Sequence, residues 1–124
     1  MKLLLDTHVL LWWLTGQPLE PRAAEAVADV GTLVAVSAAS LWEIAIKRAL
    51  GKLRFDGSVD SVVREARFEP LPITASHAEL AAGLPDHHRD PFDRMLVAQA
   101  RSEQLTLATR DPAFDRYDVA VLRA

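Results

Sequence analysis

The stretch Lys2-Leu3-Leu4-Leu5-Asp6-Thr7-His8-Val9-Leu10-Leu11-Trp12-Trp13-Leu14 decides the fold. Lys2–Leu5 is a short apolar run ending at an acid, the pattern of a buried strand. Val9–Leu14 reads as a short helix, stopped by Thr15-Gly16-Gln17-Pro18. The alternation continues outward. Pro21–Val30 is Ala-rich and helical, with Gly31 as its C-terminal cap. Thr32–Val36 is apolar and partly β-branched, a second strand. Ser37 suits the cap of a helix running to about Leu50. Lys47 and Arg48 fall in its last turn, where cations complement the helix dipole.

Val59–Arg67 is predicted as a short helix. Glu69–Ile73 carries two prolines, which confine it to an irregular edge strand. Ala75–Ala82 reads as a helix and Pro85–Asp90 as a polar loop. Asp90-Pro91 then opens a helix to about Gln104, with an acid at the cap and proline at the first helical position. Thr106–Ala108 and Val119–Leu122 complete the strands. Strands separated by helical crossovers imply a parallel sheet covered on both faces. The expectation is an α/β fold in one domain, residues 1–124. It is a three-layer α/β/α sandwich around a central parallel sheet of four or five strands. Such sheets bind ligands beyond the carboxyl ends of their strands, where the strand order reverses.

Composition narrows the function. The chain has 124 residues, 50% apolar and 25% charged, and no Cys. That excludes a disulfide framework, zinc–thiolate sites and thiol catalysis, and it suits a reducing cytoplasm. No apolar run approaches the roughly 20 residues that span a bilayer, and the first residues lack a signal-peptide pattern, so a cytoplasmic location and no membrane partner are expected. The net charge is −3. No global positive field attracts a polyanion, so a nucleic-acid role requires local basic groups or bound cations.

The positions of the acids are informative. Asp6 follows the first strand directly and Asp111 lies just past Thr106–Ala108. Asp93 shares a helical face with Leu96, Val97 and Ala100 by i, i+3, i+4, i+7 spacing. Glu43 lies within the mostly apolar Leu41–Ile46. Each has a local explanation. Asp6, Asp90 and Asp111 suit helix caps, Asp93 suits the third helical position, and Ser40-Leu41-Trp42-Glu43 matches a capping box if its helix starts late. Together they ask for more, because acids converging on one strand edge repel one another. A hard divalent cation, Mg²⁺ or Mn²⁺, resolves that repulsion with oxygen ligands.

The residues resemble a family at this point. Leu3–Trp12, Val36–Lys47, His88–Ala100 and Leu107–Asp111 fall in the order, and with the motifs, of PIN-domain ribonucleases of the VapC toxin type. The resemblance covers almost the whole chain. It implies a PIN fold and an acidic Mg²⁺ site that uses Asp6, Glu43, Asp93 and Asp111, with Asp90 matching the Asp-Pro-Phe-Asp pattern. Which of Asp90 and Asp93 is nearer the metal stays open, with the helical face favouring Asp93. The family's small hydroxyl residue is Thr7 or Thr109. Implied with these are in-line RNA hydrolysis to a 5′-phosphate and a 3′-hydroxyl, inhibition by a small antitoxin protein, and a homodimer.

RNA contacts must be built locally. Arg89, Arg94, Arg110 and Arg116 neighbour the proposed site and are candidate phosphate contacts, as is Lys47 one turn after Glu43. His87-His88 is a poor chelating pair, because adjacent loop residues seldom bind one ion. His8 is expected to pack locally, and Trp12-Trp13 suits a core-plus-interface position. Two other acidic-pocket folds fit less well. A dehalogenase-type phosphatase requires an acid where His8 stands, and a receiver domain requires a phosphorylatable Asp at a middle strand end that this chain lacks. The remaining alternative is a catalytically weak PIN-like module for binding or oligomerisation.

Overall fold

Leu3 and Leu5 are buried in one core and Leu4 in another; Val34 and Val36 part from Ala35 in the same way. Successive side chains of a strand point to opposite faces, so this split means that both faces of the sheet are dry. The computed structural model describes all of residues 1–124. Its elements are β1 (Lys2–Leu5), α1 (Thr7–Leu14), α2 (Pro21–Ala28), β2 (Leu33–Ser37), α3 (Ala38–Ala49), α4 (Val59–Glu65), β3 (Glu69–Leu71), α5 (Ala75–Gly83), α6 (Pro91–Ser102), β4 (Thr106–Thr109) and β5 (Val121–Arg123), with a 3-10 helix over Pro112–Arg116.

The five strands are all parallel, in the order β3-β2-β1-β4-β5. Val9, Leu10, Ala23, Val27, Ile44, Val59 and Val63 bring α1 to α4 onto one face. Leu96, Val97 and Ala100 of α6, with Phe114 and Tyr117, cover the other. The three-layer α/β/α sandwich follows. The chain steps outward from β1 through β2 to β3, then returns to the other flank of β1 as β4 and β5. The order therefore reverses between β1 and β4, and that is where such a sheet opens a crevice.

Some element limits differ from the sequence pattern for local reasons. The last strand runs over Val121–Arg123, not Val119–Leu122, because the Val119 N–H is held in a turn by the Tyr117 carbonyl. The helices expected to reach Arg67 and Gln104 end at Glu65 and Ser102. Arg67 and Gln104 themselves have φ of 62° and 55°, left-handed values that close the helices. The late-start capping box at Ser40 is not formed. The α3 helix starts at Ala38, where the Ser37 hydroxyl accepts from the Ala39 N–H at 3.0 Å. Ser40 sits inside the helix and accepts a 2.9 Å hydrogen bond from the Thr7 hydroxyl, tying α3 to α1. No helix is long and apolar enough to cross a membrane.

Candidate metal centre

The crevice between β1 and β4 receives Asp6 from one strand end and Thr109 from the other. Asp6 is buried at the start of α1, yet its carboxylate does not cap that helix. Instead the Thr109 hydroxyl donates to Asp6 Oδ2 at 2.7 Å and accepts from the Asp111 N–H at 3.1 Å. One hydroxyl thus orients two acids on neighbouring segments. Thr7, the other hydroxyl candidate, is occupied with Ser40. Burial raises the Asp6 pKa above its ordinary value. The Thr109 hydroxyl, His8 and the Thr7 amide hold it back, and the charge of Glu43 adds to the rise.

The first turn of α6 supplies two more acids with different duties. Asp90 is the cap, with Oδ1 accepting from the Phe92 N–H at 2.8 Å and the Asp93 N–H at 3.4 Å. Asp93, at the third helical position, has its carboxylate free of the helix end. Its pKa is pushed up to about 8, first by burial, then by the negative charges of Asp90, Asp6, Glu43 and Asp111. That ranking is also a statement of geometry: four acids from four chain segments stand close enough to act on a fifth.

His88 closes the cluster. Its Nε2 is 2.9 Å from Asp93 Oδ2 and 3.4 Å from Asp111 Oδ2. Its Nδ1 accepts from the Asp90 N–H at 3.3 Å, which leaves Nε2 to donate to Asp111 Oδ2. The ligand-type atoms of His88, Asp93 and Asp111 all lie within 4.8 Å of one another. The sequence pattern did not single out His88, because nothing in the spacing separates it from His87. The two residues part in space: His87 meets Tyr117 edge-on, with ring centroids 5.2 Å apart. Asp111 is the most open of the three, with 42% of its side chain exposed, and its other oxygen caps the 3-10 helix through the Ala113 N–H.

Glu43 reaches the site from α3. It is nearly buried, and Lys47 Nζ lies 3.1 Å from its Oε2, so Lys47 is paired and not a free phosphate contact. Two of the arginines considered as phosphate contacts are turned into the protein. Arg94 donates to the carbonyls of Ala81, Leu84, Pro85 and His88 at 2.9 to 3.3 Å. With the Tyr117 hydroxyl on Pro85, it pins the loop that delivers His88 and Asp90. Arg110 lies 4.1 Å over the Trp12 ring and donates to the Ala124 carbonyl at 2.9 Å. Arg89 and Arg116 are exposed. His8 is also exposed, its ring centroid 6.0 Å from that of Trp12. Trp12 and Trp13 pack, partly buried, on the core.

This donor set fits a hard divalent cation. Its members are mostly carboxylate oxygens, its negative charge exceeds the one nearby lysine, and burial followed by the charges of the other acids raises the Asp93 pKa. Comparison with known proteins agrees with the architecture. The PIN domain family model matches residues 3–120. No curated protein matches the chain. Among solved structures, VapBC2 from Rickettsia felis bound to a DNA fragment from its promoter matches with a TM-score of 0.75 and 16% identity, over 98% of each chain. FitAcB from Neisseria gonorrhoeae matches with a TM-score of 0.66 and 25% identity, over 98% of this chain and 96% of that one. A toxin–antitoxin complex from Klebsiella pneumoniae matches with a TM-score of 0.69 and 20% identity, over 97% and 95%. Sequence pattern and fold coincide over nearly the whole length: the chain belongs to the PIN domain family.

Proposed function

We propose that this PIN domain is a metal-dependent endoribonuclease, the toxin of a toxin–antitoxin pair. PIN domains are generally nucleases, and the similar structures include toxin–antitoxin complexes. The observation that carries the reading is the convergence of Asp6, Glu43, Asp90 and Asp111 on Asp93 where the strand order reverses. A fold that needed only stability would not gather five acids there, since their mutual repulsion and burial are both unfavourable.

Asp6, Asp93 and Asp111 are the residues to hold Mg²⁺, with Mn²⁺ as an alternative ion. Glu43 serves either as a further ligand or as the group that orients the attacking water. Asp90 shapes the site from the helix cap. When bound, the cation supplies Lewis acidity and charge screening at the scissile phosphate and makes water a better nucleophile. The protein's own part is positional. Thr109 holds Asp6, His88 holds Asp111 through its Nε2–H and lies against Asp93, and Arg94 fixes the loop that carries His88. Arg89 and Arg116 remain to contact phosphates. An unfilled cluster of this charge would repel RNA, so binding and hydrolysis both depend on the ion. A homodimer, a small cognate antitoxin that blocks the acids, and a cytoplasmic setting complete the proposal.

The test is incubation of the purified protein with total RNA and Mg²⁺, followed by mapping of new 5′-phosphate ends. Discrete ends are expected, absent in EDTA and absent with Asp6→Asn. Cleavage that survives EDTA, or no cleavage of any RNA, overturns the reading.

A further inference from the structure

Donors that could meet a phosphate are scarce inside the crevice. Lys47 is engaged by Glu43, Arg94 by main-chain carbonyls, and Arg110 by Trp12 and Ala124. The one side-chain N–H lodged against Asp93 and Asp111 is that of His88, with Nε2 2.9 Å from one Oδ2 and 3.4 Å from the other. Its ring is held from behind. The Asp90 N–H donates to Nδ1, and the Phe114 ring lies alongside with centroids 5.7 Å apart. Asp90 is itself fixed as the cap of α6, and Phe114 is fully buried. Orienting Asp111 does not require so rigid a donor, because the Ala113 N–H already places that carboxylate.

Phosphodiester hydrolysis builds negative charge on the phosphate oxygens, and fixed N–H donors aimed at such charge are a main source of rate. Oxygens at adjacent positions of an octahedral ion stand about 3 Å apart. A phosphate oxygen sharing an ion with Asp93 and Asp111 would therefore lie next to their Oδ2 atoms, within reach of the donor that touches both. We propose that His88 is a catalytic residue, donating its Nε2–H to a non-bridging oxygen of the phosphate under attack. The hydrogen stays on the ring throughout, so no proton is transferred. Nor does the role depend on the charge of the ring, since Nε2 carries hydrogen in the imidazolium as well. This rests on the ribonuclease reading and deepens it.

The experiment compares the full chain with His88→Ala and His88→Gln, each first checked by its melting curve. Glutamine offers an amide N–H at a reach close to that of Nε2. Three quantities are read: Mn²⁺ uptake, affinity of the ion-saturated protein for adenosine 5′-monophosphate by calorimetry, and the rate of RNA cleavage. His88→Ala is expected to keep its Mn²⁺ affinity within about threefold, to bind the nucleotide about tenfold more weakly, and to cleave about 100-fold more slowly, as loss of one charge-directed donor does. His88→Gln should recover most of the last two. Should His88→Ala melt early, His88→Leu fills the place beside Phe114 without a donor. A 10- to 100-fold loss of Mn²⁺ affinity with nucleotide binding unchanged at saturating ion makes His88 a support for its neighbours only, and overturns the proposal. So does nucleotide binding that ignores His88 or is absent from the parent. The two readings fail separately. His88-dependent nucleotide binding by a protein that cuts no RNA keeps the phosphate contact and removes the nuclease. Cleavage indifferent to His88 removes the donor and keeps the nuclease.

Discussion

Asp93→Asn is expected to abolish RNA cleavage while making the metal-free protein more stable. The amide keeps the shape of the carboxyl and can keep its place beside His88 Nε2, so the fold has no reason to change. What disappears is an acid whose ionisation is opposed by burial and by four other acids. Loss of a partner outside the ligand shell typically costs 10- to 100-fold in activity or metal affinity. Loss of a residue proposed as a ligand should exceed that. Cleavage rates with saturating Mg²⁺, beside melting temperatures in EDTA, measure the two effects together. Activity within a few fold of the parent places the metal elsewhere. This opposition of stability and activity is common where a site is built against local electrostatics.

The second large effect is a fall in metal-free stability as pH rises. The unfolded chain releases the Asp93 proton near the ordinary value of 3.8, whereas the folded protein keeps it until about 8. A folded pKa raised in this way contributes stability that is fully present below the unfolded value. It is lost as pH climbs through the folded one. Each unit of difference corresponds to about 1.4 kcal/mol, so the loss across this window is on the order of a few kcal/mol. Asp6, shifted in the same direction, adds to it. In EDTA, the gap in stability between Asp93→Asn and the parent should be small near pH 4, widen with pH, and level off above about pH 8. Parallel curves would show that Asp93 ionises normally. Mg²⁺ binds the ionised acids and releases protons, so its stabilising effect should grow over the same range.

Much of this arrangement was legible in the sequence, because most of it depends on local rules. Asp6 and Asp111 are placed by the ends of apolar strand runs, and parallel sheets put ligands beyond those ends. Asp93 is placed by the helical period it shares with Leu96, Val97 and Ala100, all buried. Asp90 and Pro91 announce their own helix start. The residues that escaped are those whose partners are distant in the chain. His88 and His87 are chemically identical in sequence, and only the path of the loop, fixed by Arg94 and Tyr117, sends one toward the acids and the other toward Tyr117. Arg94 and Arg110 look like phosphate contacts because they neighbour site acids. Their guanidinium groups are instead taken by main-chain carbonyls, at 81–88 for Arg94 and at Ala124 for Arg110. The Thr109–Asp6 hydrogen bond joins residues 103 positions apart and exists only because β4 pairs with β1.

The most direct test of the account is a titration of the full chain with Mn²⁺ at pH 8.5, following free ion by electron paramagnetic resonance. The parent should take up Mn²⁺ along a saturable isotherm. Asp6→Asn and Asp93→Asn, folded by circular dichroism, should lose that uptake. If the parent takes up no ion, or if both variants bind as the parent does, the gathered acids are not a cation site and the proposed hydrolytic chemistry loses its basis.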